Sequence, residues 1–140
     1  MRTEGIFTPE TAADVRERFE AVGPTAQTTV REVAKAMDFD RAEYGERVTS
    51  DVVETAREVI FASLLEVHVG TRAEYEDFLA DLEDYEAAEI GSENVANVAW
   101  HAAPAVGTVV AATFEDKEAA AVGTLRRQAF GEVYRDIVRE

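Results

Sequence analysis

Val59-Ile60-Phe61-Ala62-Ser63-Leu64-Leu65 carries no charge, and it continues a helix that Ser50 caps and whose first turns alternate charged and apolar residues. A helical stretch apolar on every side has no solvent face, so the run is expected to be buried all round. That places it at the centre of the core, with the other helices and a sheet wrapped about it.

Toward the N-terminus, Thr8 as N-cap and Pro9 at the first helical position open a helix that turns Ala12, Val15, Phe19 and Val22 to one side. Gly23-Pro24 ends it. A second helix follows, with Ala26, Val30, Val33, Ala34 and Met37 as an amphipathic stripe, and the two make an αα-hairpin. Asp38 to Thr49 reads as a connector holding a helical turn around Tyr44, supported by Glu43 and Arg47 at i, i+4.

Toward the C-terminus, Gly70 breaks the chain and Thr71-Arg72-Ala73-Glu74 forms a capping-box pattern, opening a helix with Tyr75, Phe78, Leu79 and Leu82 inward. Beyond Asp84 the period becomes two. Tyr85 to Ile90, Val95 to Ala103 and Thr108 to Phe114 read as strands, the last two joined across Pro104-Ala105-Val106-Gly107. Asp116 is positioned to cap a last helix from about Lys117 to Val138, packing through Val122, Leu125, Ala129, Val133 and Ile137. The fold expected is therefore α+β, a single domain over residues 1–140. It comprises four N-terminal helical segments, a three-stranded antiparallel β-meander, and a C-terminal helix packed on the sheet or the central helix.

Composition narrows the function. The 140 residues include 29 acids against 14 bases, and twelve of those bases are Arg, beside Lys35 and Lys117 alone. A formal net charge of -15 opposes compaction in dilute buffer, whereas molar salt shortens the Debye length to about 3 Å and removes most of the repulsion. An acidic, lysine-poor surface of this kind suits a halophilic cytoplasm. The absence of cysteine excludes disulfides, thiolate catalysis and Cys-type metal centres. Met1-Arg2-Thr3-Glu4 lacks the apolar stretch of a signal peptide, and Val59 to Leu65 falls far short of the roughly 20 residues of a membrane span. No membrane association and a cytoplasmic location are expected.

His68 and His101 are the first candidates for acid–base or metal chemistry, but Glu66-Val67-His68 lacks the i, i+3 or i, i+4 spacing of a helical metal site. No metal or cofactor is expected. Strand alternation sends Trp100 and His101 to opposite faces; with Trp100 inward, His101 joins Ala99 and Ala103, where the last helix or a ligand would cover it. Arg126, Arg127, Arg135 and Arg139 make the last helix the most basic stretch. Glu132, Asp136 and Glu140 dilute that charge, and phosphate affinity falls with salt, so nucleic-acid binding is the weaker reading. Gly123, Arg127 and Gly131 recur every four residues, a stripe suited to close packing or to a dimer contact. Acid pairs such as Glu54/Glu58 and Asp77/Asp81 have no partner base and read as a solvated face.

Glu4-Gly5-Ile6-Phe7-Thr8-Pro9-Glu10, the segment from Val59 to Thr71, Ile90-Gly91-Ser92-Glu93-Asn94-Val95 and Arg126-Arg127-Gln128-Ala129-Phe130 resemble a small haloarchaeal family known only as a domain of unknown function. The resemblance implies a salt-adapted cytosolic setting and transfers no catalytic residue. Two functions stand. One is a non-catalytic binding or regulatory module acting through protein contacts, with self-association among them, which requires an exposed apolar patch. The other is a small enzyme or ligand binder using His68, Trp100, His101 and the Arg126/Arg127 pair, which requires those side chains around one concave pocket.

Overall fold

The computed structural model describes residues 1–92 and 94–139; Glu93 and Glu140, read above in the third family-like segment and at the end of the last helix, lie outside the described residues. In chain order the elements are β1 (Arg2–Glu4), α1 (Ala12–Ala21), α2 (Gly23–Ala36), α3 (Arg41–Arg47), α4 (Ser50–Ser63), β2 (Val67–Thr71), α5 (Arg72–Ala80), β3 (Glu86–Ile90), β4 (Asn97–Ala103), β5 (Thr108–Phe114), α6 (Glu118–Ala129), a π-helical turn (Phe130–Tyr134) and α7 (Arg135–Val138).

The fold is α+β, but the three-stranded antiparallel meander is wrong. The sheet has five strands in the order β1-β2-β4-β5-β3, and β3 lies parallel to β5. The cause is β2, a strand that the expected elements did not include. It pairs antiparallel with β4, His68 opposite Trp100, and so occupies the edge that a meander would give to β3. Since β4 and β5 are antiparallel, β2 and β3 run the same way, and α5 joins them as a crossover packed on β2 and β4. The N-terminal β1, also unexpected, adds to the free edge of β2 through Arg2 opposite Val69 and Glu4 opposite Val67.

Helices cover both faces. On one face Val67, Val69, Ala99, Ala103, Val110 and Ala112 pack under α1, α4, α6 and the π turn. On the other, Val98, Trp100, Val109 and Ala111 pack under Tyr75, Phe78 and Leu79 of α5, with Leu82 and Tyr85 beyond it. α6 lies on β4, β5 and α4. Burial on two sides explains why β4 and β5 are almost continuously apolar where a half-solvated strand would alternate.

Phe61 sits at the centre of the first core, fully buried, with its ring 5.4–5.8 Å from those of Phe7, Phe19, Phe130 and Tyr134. The uncharged run is not buried all round, however: Val59 is 55% exposed and Ser63 faces solvent. Gly5 makes the N-terminal strand possible. It adopts φ +102°, and a Cβ there would stand 2.4 Å from the Leu65 carbonyl oxygen, so the chain passes Leu65 only without a side chain. Phe7 then bridges to Leu65, and the Glu66 N–H donates to the Phe7 carbonyl at 2.8 Å.

Helix starts depart from the expected caps. Thr11 caps α1 in place of Thr8, Thr49 caps α4 in place of Ser50, and α6 has Lys117 in place of Asp116 at its N-cap, with no side-chain cap. Thr71 and Glu74 do form the reciprocal capping box of α5. The helix from α6 onward is interrupted by the π turn, where the Arg135 N–H donates to the Phe130 carbonyl.

Candidate functional site

The two histidines lie on opposite faces of the sheet. His68, half-buried, stacks on Trp100 with ring centroids 5.6 Å apart and interplanar angle 30°, and packs on Phe78 at 4.9 Å. Its Nδ1 lies 3.2 Å from Thr3 Oγ1, and Nε2 lies 3.8 Å from Glu66 Oε1. Burial lowers its pKa below the ordinary imidazole value, and the Glu66 carboxylate partly opposes that shift. Trp100 is fully buried beside Tyr75, and the Trp100 Nε1–H and Tyr75 O–H have no hydrogen-bond partner among the described residues.

His101 is sealed beneath the π turn. Its Nδ1 lies 2.6 Å from the Glu66 carbonyl oxygen, an acceptor, so Nδ1 carries the hydrogen. Nε2 is then the lone-pair nitrogen and accepts the Tyr134 O–H at 2.5 Å. Burial pushes His101 down to about 4, against the raising effect of the Glu66 carbonyl, and it pushes the Tyr134 phenol well above its usual value. A neutral imidazole with both nitrogens satisfied and no solvent exposure is a structural strut between β4, the end of α4 and the π turn. The last helix covers it, and His101 itself has no exposed surface.

The arginines do not join these groups in one pocket. Arg126 Nε donates to the Leu65 carbonyl at 3.1 Å, fastening α6 to the end of α4, while Arg127 is exposed. Arg139 pairs with Glu58 at 3.0 Å, and Arg135 lies over the Phe130 ring at 5.5 Å. These contacts engage three of the four bases of the last helix within the chain. A Cβ at Gly123 would meet only Arg127 Nη1 at 3.9 Å, and one at Gly131 only the Arg135 guanidinium from 3.6 Å. Among the described residues, no other element comes within 4 Å of a Cβ placed at either glycine. Among the described residues, no group of three or more His, Asp or Glu is placed to hold a metal ion.

A different surface collects what the histidines do not. α2 packs on α4 outside the sheet layers, and Ala26 and Ala34 are its only fully buried side chains. Val33 is 52% exposed and Met37 59%; across from them on α4, Val52 is 43% exposed. Asp38 adopts φ +56° just past the end of α2, and the Phe39 N–H donates back to the Ala34 carbonyl at 3.2 Å. The turn folds Phe39 against the helix. Val30, Val33, Met37, Phe39, Val48 and Val52 thus line an open groove of about 520 Å³. Its sole charged lining residue is Arg47, whose guanidinium lies 5.6 Å over the Phe39 ring and forms no ion pair among the described residues. The expected Glu43–Arg47 support is absent. The stripe of α2 was legible in the sequence; that the fold leaves it uncovered was not.

No helix among the described residues is long and apolar enough to cross a membrane. No curated protein and no solved structure matches the chain. Residues 6–135 match the model of a family of unknown function, DUF5809, which carries no activity to transfer. With nearly its whole length inside that match, the chain belongs to this family of unknown function.

Proposed function

We propose that the protein is a non-catalytic module of a salt-rich cytoplasm that acts by docking another protein segment in the groove between α2, α3 and α4. The observation that carries this reading is the uncovered apolar stripe. A surface helix ordinarily turns such a stripe to the core, yet Val33 and Met37 face outward beside Val52. Scattered exposed apolar residues need no explanation, but these converge on one concave surface. The catalytic alternative has less support, because His68 and His101 are separated by the sheet and His101 is sealed.

A photo-cross-linking residue placed at Met37 in the native host is expected to give one defined protein adduct, identified by mass spectrometry and lost when Val33→Asp is added. The same probe at the exposed Val106, in the β4–β5 turn, should not give that adduct. Equal labelling at both positions, or none at Met37, counts against docking in the groove.

The salt setting is supported by the charge of -15. Its test is thermal unfolding in increasing KCl: the melting temperature should rise from near-zero to molar salt as self-repulsion is screened. A flat or falling profile would remove the halophilic part of the proposal.

A further inference from the structure

We infer that the groove accepts the apolar face of an amphipathic helix bearing a carboxylate that meets Arg47. This rests on the docking function proposed above and names its partner class. Val30, Val33 and Met37 on one wall span two helical turns, and Val52 and Ala56 face them from α4. Two turns are about 11 Å, the reach of apolar anchors at i, i+4 and i+7 on a docked helix.

Charge fixes the rest. Apart from Thr29 and Arg47 the lining is apolar, and Arg47, its one charge, has no carboxylate within ion-pair distance among the described residues. Its guanidinium is held over Phe39 at the end of α3, oriented before any partner arrives. An acidic side chain one turn beyond the apolar anchors would complete it with a charge-assisted hydrogen bond. The surrounding charge of -15 repels such a partner in dilute buffer, so association should strengthen as salt rises. A cationic segment would show the opposite dependence.

The test is fluorescence anisotropy with the whole chain and three labelled designed helices. One carries Leu at i, i+4 and i+7 with Glu one turn later; the second replaces that Glu by Lys; the third scrambles the Leu positions. The Glu helix should bind, more tightly in 2 M than in 0.1 M KCl, and about tenfold more tightly than the Lys helix. The preference should vanish in Arg47→Gln, and binding to both should be lost in Val33→Asp, with melting temperatures showing that both variants fold. Equal or tighter binding of the Lys helix, or affinity that falls with salt, overturns the acidic partner in favour of a cationic one. A dimer of the unmixed protein in sedimentation, abolished by Val33→Asp, assigns the groove to a second copy instead. Binding of none of the helices overturns this partner class. The Met37 cross-link then reports separately on docking itself, and its absence would end that reading too.

Discussion

Phe61→Ala is expected to lower the free energy of unfolding by about 3–5 kcal/mol, the cost of removing a fully buried aromatic and leaving its cavity. The central run of the chain places Phe61 where rings from the N-terminal segment, α1 and the π turn converge on α4. Four neighbours held by three different elements cannot collapse together into the space, which puts the expected loss toward the upper end. Urea titration measures it; a loss under about 1 kcal/mol would show that the cluster closes over the gap. Phe61→Leu, which keeps most of the apolar volume, should cost distinctly less and keeps the comparison readable if the alanine variant does not fold.

The second large effect is a loss of stability in acid. His101 titrates near 6.5 in an unfolded chain and is pushed to about 4 by burial in the folded one. Between those values the unfolded state binds a proton that the native state refuses, so stability falls as pH drops through that window. Above about 6.5 the contribution is fully present, and below about 4 it is gone. The size is about 3 kcal/mol, from 1.36 kcal/mol for each unit of difference. His68, lowered in the same direction, adds to the slope. Imidazole NMR signals separate the sites from the carboxylates that titrate nearby. The His101 signal should stay that of the Nδ1–H neutral form down to about pH 4. Titration near 6.5 would mean that the Glu66–His101–Tyr134 chain is open to water.

Local periodicity was legible in the sequence, and long-range pairing was not. The capping box at Thr71 and Glu74 is an interaction over four residues, so their spacing alone reveals it. β2 carried a readable pattern too: Val67 and Val69 alternate with His68 and Gly70, and both valines are buried. Only Glu66 separates that alternation from the apolar run ending at Leu65, so no break in composition marks where helix gives way to strand. The parallel β3–β5 pair could not be read at all, since it depends on which edge β2 leaves free. The candidate site divides similarly. Alternation separated Trp100 from His101, but nothing local to His101 indicates that Tyr134, 33 residues onward, would take its second nitrogen. The groove depends on what fails to cover α2, a property of the whole packing.

The strand order also dictates how the sheet can be assembled. β4 and β5 are neighbours joined directly by the short turn after Ala103, whereas β1 and β2, also neighbours, have α1 to α4 between them; β2 and β3 flank the β4–β5 hairpin and are separated by α5. The β2-α5-β3 unit therefore leaves the ribosome with a gap two strands wide at its middle. It cannot zip up until the later hairpin arrives to fill the space. Closing small loops costs less entropy than closing large ones, so the hairpin forms first and the older strands dock on its two sides. Synthesis order and assembly order are inverted, and a chain halted before Phe114 would hold strand edges with nothing to pair against.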